Sequence, residues 1–120
     1  MNFDFEKFKE SLYLTAVAAK ETSLTVFSIT KCKFKIMEIK SEIEDRYVMI
    51  GKIIYNKDDS DEAKEKIDVL CNEITELRED VKKVQGIIDD NLNRKECPKC
   101  NTRSDKNFDF CPKCGYKFEN

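Results

Sequence analysis

At 120 residues the chain has room for one modest domain, or for a small module joined to an extended element, and it contains no histidine. That excludes imidazole acid–base and triad chemistry, while a net charge of -2 gives only a weak electrostatic footprint for nucleic acid. Charged residues make up 38% of the sequence against only three glycines and two prolines, a profile closer to long solvated helices than to a loop-rich fold.

The amino terminus, Met1-Asn2-Phe3-Asp4-Phe5-Glu6, mixes acids with aromatics where a secretory leader needs a basic start and an unbroken apolar stretch. A cytoplasmic protein with reduced thiols is therefore expected. The most apolar window, Leu12 to Ile29, is broken by Lys20 and Glu21 and laced with Thr and Ser, which makes it a poor membrane span. Phe5, Phe8, Leu12, Ala16, Ala19 and Val26 form a helical stripe. Leu24 to Ile36 also fits an alternating strand, but no turn residue separates it from the surer helix after Ile36, so it is read as helix. Ile36, Ile39, Ile43, Tyr47, Ile50 and Ile54 then recur at threes and fours. Together these segments predict one helix over residues 3–55, roughly 80 Å long at 1.5 Å per residue.

The polar run Asn56 to Ser60 predicts a turn, and Asp59 followed by Glu62 has the pattern of a capping box for a helix starting near residue 60. From there to about residue 94, Ile67, Leu70, Ile74, Leu77, Val81, Val84 and Ile88 alternate steps of three and four as a heptad seam. The expected architecture is mainly α: a long antiparallel helical hairpin or coiled coil over residues 1–94, then a small cysteine-bearing module over residues 95–120. In such a hairpin the first twenty residues are left over, and the stripe of Phe3, Phe5, Phe8 and Leu12 must pack back on the carboxy-terminal module, on a second copy or on another partner.

Charge is unevenly spread: residues 1–40 carry seven Lys/Arg against five Asp/Glu, residues 41–93 eight against fifteen, and residues 94–120 seven against four. The carboxy-terminal stretch also holds Cys97, Cys100, Cys111 and Cys114, and four metal-bound thiolates with a divalent ion would cut its excess to about +1.

The tail reads Cys97-Pro98-Lys99-Cys100, ten residues, then Cys111-Pro112-Lys113-Cys114-Gly115. Two residues between cysteines let both sulfurs of a tight turn reach one ion, and the residue after the second cysteine often needs positive φ. Gly115 supplies that at one turn, and Asn101, which tolerates it, stands at the matching place in the other. Cys97, Cys100, Cys111 and Cys114 thus form a closed tetrahedral site for a structural Zn2+, with no open position for catalysis. Redox pairs or disulfides are the alternative, and iron is chemically possible with the same ligands. Twenty-odd residues bury too little to fold alone, so metal binding provides the missing free energy, with Phe108, Phe110, Tyr116 and Phe118 expected as a small core.

These two Cys-Pro-x-Cys turns, the second followed by Gly, resemble the zinc-ribbon domains of bacterial and archaeal proteins over residues 97–118. More loosely, KSEIEDRYVMIGKIIY (Lys40–Tyr55), KIDVLCNEITEL (Lys66–Leu77) and the tail CPKCNTRSDKNFDFCPKCG look like a group of small Firmicutes proteins with a long helical region before a carboxy-terminal ribbon. The likeness implies architecture and no particular reaction.

Cys32 and Cys71 lack a partner at ligand spacing and read as ordinary thiols. The run Asp58, Asp59, Asp61, Glu62 lacks the spacing and mid-loop glycine of a calcium loop. No catalytic residue and no glycine-rich phosphate loop is found, so a non-enzyme is expected. The leading expectation is a protein-interaction adaptor or scaffold acting through its helices, including self-association through residues 1–35. Nucleic-acid binding through Lys99, Arg103, Lys106, Lys113 and Lys117, and membrane attachment through an amphipathic segment at residues 5–29, are the alternatives.

Overall fold

A computed structural model describes residues 3–18 and 26–119. The described elements are three helices, α1 (Phe5–Ala18), α2 (Val26–Tyr55) and α3 (Asp61–Asn91), followed by two short strands, β1 (Arg94–Glu96) and β2 (Arg103–Asp105). The chain divides into two compact units, Met1–Gln85 and Gly86–Asn120, with the division inside α3.

In the first unit the three-and-four periodicity does what it predicts. Ile39 and Ile43 of α2 meet Ile74 and Leu77 of α3 in a buried cluster, with Ile50 and Val81 packed against it. Each such side chain contributes about 1.5–3 kcal/mol by leaving water. Arg46 bridges the two helices: its Nε donates to Glu73 Oε2 at 2.9 Å while Nη1 donates to the Glu42 carbonyl at 3.0 Å. Toward the turn the seam opens. Tyr47 and Ile54 occupy seam positions by period yet are 46% and 63% exposed.

The expected single helix over residues 3–55 is two helices. Lys31 Nζ donates to Ser11 Oγ at 3.2 Å, and Lys35 Nζ stands 5.4 Å and 5.9 Å from the ring centres of Phe3 and Phe8. On one continuous helix Ser11 and Lys31 would be about 30 Å apart. α1 therefore runs back along α2 in the opposite direction. This reversal buries Phe8 and Leu12 and lays Phe3 on the α2–α3 cluster, surface that a straight helix would leave in water. Ala19, Lys20, Glu21 and Leu24 lie outside the described residues, as do the side chains of Ala16 and Val26.

The turn between α2 and α3 is closed by backbone geometry. Lys57 has φ 55°, and the amides of Lys57 and Asp58 donate to the carbonyls of Ile54 (3.0 Å) and Ile53 (3.3 Å), the paired bonds of a Schellman ending. The cap of α3 is Ser60, whose Oγ accepts from the Ala63 amide at 3.2 Å; the expected Asp59–Glu62 box is not used, because the third helical position is Ala63. The Ser60 hydroxyl and amide hold the Asp58 carboxyl below its usual range. α3 stops at Asn91, three residues before the expected end: Asn93 takes φ 54°, and Arg94 already belongs to β1. Among the described residues no helix is long and apolar enough to cross a membrane.

Left-handed backbone is costly for a residue with a Cβ, so Lys57→Gly is expected to raise stability by about 0.5–1 kcal/mol. Ser60→Ala is expected to lower it by about 1 kcal/mol. Urea unfolding followed by helical circular dichroism measures both.

Candidate metal centre

In the second unit β1 and β2 pair antiparallel, with Arg94 opposite Asp105, Lys95 opposite Ser104 and Glu96 opposite Arg103. The loop between them holds the first cysteine turn. Its backbone bonds are repeated in the second turn: Asn101 N donates to Cys97 O at 2.8 Å and Gly115 N to Cys111 O at 2.9 Å, while Cys97 N donates to Thr102 O at 2.9 Å and Cys111 N to Tyr116 O at 2.8 Å. The residues expected to need positive φ have it, Asn101 at 63° and Gly115 at 80°.

The duplicated turns bring together all four predicted ligands. The sulfurs of Cys97, Cys100, Cys111 and Cys114 lie within 4.8 Å of one another, an arrangement that can hold a metal ion. Cys97 Sγ is 3.6 Å from Cys114 Sγ and Cys100 Sγ is 3.5 Å from Cys111 Sγ, each pair joining one turn to the other. Tetrahedral coordination with metal–sulfur bonds of about 2.3 Å requires sulfurs about 3.8 Å apart, whereas a disulfide needs about 2.05 Å. The separations fit the first requirement, and all six cysteines are free. Of the two outside the cluster, Cys32 is buried in the helical unit, where desolvation raises its thiol pKa, and Cys71 is exposed.

The environment favours thiolate unevenly. The Thr102 hydroxyl, 3.2 Å from Cys100 Sγ, and then the Thr102 amide lower Cys100 to about 6. The Cys114 amide, followed by the Lys113 amide, lowers Cys111. At Cys114 the Tyr116 amide also favours thiolate, but desolvation and the neighbouring sulfurs of Cys100, Cys97 and Cys111 outweigh it and push the thiol up to about 12. Once one sulfur is ionised its neighbours resist ionisation; a divalent cation reverses that penalty.

Only half of the expected aromatic core is used. Phe118 is buried and Tyr116 packs beside it against the cysteines, their rings 5.9 Å apart and nearly perpendicular, whereas Phe108 and Phe110 are 46% and 57% exposed. The reason is register. Phe110 bridges to Lys117, so the flanking pairs Cys111–Tyr116 and Asp109–Phe118 face the opposite side from Phe110. Lys95 ties strand to tail, with Nζ 3.9 Å from the Phe118 ring centre and donating to the Phe108 carbonyl at 2.6 Å. Arg103 Nε donates to both carboxylate oxygens of Asp89, at 3.0 and 3.1 Å, and Lys106 Nζ donates to Asp90 at 3.0 Å, fastening β2 and its following turn to the last turns of α3. Sequence reasoning missed Thr102, Lys95 and the Arg103–Asp89 pair, since nothing in the spacing of a Thr or an Arg announces its neighbour.

Comparison with protein-family models, with curated proteins and with solved structures finds no match. The likeness to ribbon domains therefore stands on the cysteine turns themselves.

Protons compete with metal for each sulfur, so a thiol with a lowered pKa keeps its metal to lower pH. Thr102→Val removes the largest cause lowering Cys100, and its metal-release midpoint on acid titration, followed with a chromogenic chelator, is expected at higher pH than in the parent protein.

Proposed function

We propose that the protein is a non-enzymatic, cytoplasmic zinc-binding scaffold, in which a carboxy-terminal ribbon is held by structural Zn2+ and the helical part presents a protein-interaction surface. The observation that carries it is the gathering of four sulfurs within 4.8 Å of one another by two turns with the same backbone bonds. Four thiolate donors with no histidine and tetrahedral spacing suit zinc best among common cellular metals, and they complete its coordination shell. The metal's part is to supply folding free energy to a unit with little apolar surface of its own. Membrane attachment through the amino-terminal segment is disfavoured, because Phe8 and Leu12 turn inward.

Elemental analysis of protein purified under reducing conditions is expected to give one zinc per chain. Cys97→Ser and Cys111→Ser, at the two buried ligands, are expected to lose it, with the β1–β2 amides losing hydrogen-exchange protection while α2 keeps its own. Metal-free protein with a disulfide inside either turn would overturn the reading.

A second reading, nucleic-acid binding by the ribbon, is favoured by exposed Phe108 and Phe110, the latter paired with Lys117. Against it, Arg103, Lys106 and Lys95 are each engaged within the unit. Binding of labelled single-stranded DNA or RNA that weakens with salt and with Phe110→Ala would support it; no binding at low salt would remove it.

A further inference from the structure

The amino-terminal stripe offered by the sequence for self-association is used inside the chain, but a different face of the first unit is left open. Tyr47, Val48, Ile54 and Tyr55 are 46%, 53%, 63% and 85% exposed. At 100° per residue the four fall on an arc of about 120° centred on Gly51. Glycine inside a helix weakens it, and a Cβ added at Gly51 would meet nothing within 4 Å, so no contact among the described residues explains the small residue. Absence of a side chain at the centre of an apolar face lets another backbone approach closely.

Charge says what approaches. Beside this face, Lys40, Arg78 and Lys82 edge a shallow groove floored by Ile43 and Val81, with Glu44 as its acid. The α2–α3 turn, at the other end of the same stretch, carries exposed Asp58, Asp59, Asp61 and Glu62. We infer that the occupant is a second copy of this chain, packed antiparallel along the carboxy-terminal half of α2 with Gly51 on the two-fold axis. Such pairing sets Tyr47 level with Tyr55 of the second copy and Val48 level with its Ile54. Lys40, about 16 Å from the axis by helical rise, then comes beside the acidic turn of the other chain, and Glu44 comes near its Lys57. A parallel pairing would instead stack Lys40 on Lys40 and acid on acid.

The inference rests on the reading of the helical part as an interaction surface and names its partner. Sedimentation equilibrium of the zinc-loaded full chain over a range of concentrations tests it. A dimer is expected, its dissociation constant raised about tenfold or more by Gly51→Gln, with helical content equal or higher because the new side chain has room within its own chain. Lys40→Glu is expected to weaken the dimer, adding Glu62→Lys to restore it, and about 1 M salt to weaken the parent. A monomer at every concentration, or a dimer indifferent to Gly51→Gln, overturns the inference. Zinc content measured on the same sample separates the outcomes: a monomer with one zinc per chain refutes the dimer alone, and a chain without zinc refutes the scaffold reading.

Discussion

Four sulfurs held within 4.8 Å of each other are an electrostatic problem that one divalent cation solves. Each backbone amide donor at the site, from Thr102 at Cys100 to Tyr116 at Cys114, stabilises negative charge on its own sulfur. The crowding works the other way, as the opposite shifts of Cys100 and Cys114 show. Among its described residues outside α3, the second unit has three buried hydrophobic contributors, two of them the cysteines themselves. Burial alone gives it little, and an ion held by the four sulfurs would supply folding free energy that burial does not.

The first unit obeys a different constraint. A two-helix hairpin buries one stripe per helix and leaves its remaining grooves wet. Here α1 fills one of those grooves: Phe3 reaches the α2–α3 cluster, and Leu12 is fully buried. Toward the α2–α3 turn Tyr47 and Ile54 are exposed.

Periodicity made α2 and α3 legible because apolar residues at threes and fours admit one helical reading, and the cysteine turns were legible because ligand spacing is a covalent constraint. Even the left-handed conformations at Asn101 and Gly115 followed from residue type. The reversal of α1 was not legible: its stripe runs on into α2 without proline or glycine, and the decision to double back lies in the burial of Phe8 and Leu12, a long-range gain no local window contains. The same holds for the cap. Asp59 and Ser60 are both capable, and the choice of Ser60 depends on how the Lys57 ending aims the chain. Phe108 and Phe110 look like core by type and are surface by register.

Asp89 and Asp90 sit at the end of α3, where the helix presents its own partial negative charge and carboxylates are unwelcome. They are tolerated there because Arg103 and Lys106 neutralise them from β2 and the turn that follows. β2 and the turn after it thus act as the counter-ion of the helix terminus. Were an ion held by the four sulfurs to be withdrawn, any loosening of those cations would return the repulsion to the helix end, and the state of the sulfurs would be felt, as fraying, in the last turns of the helix.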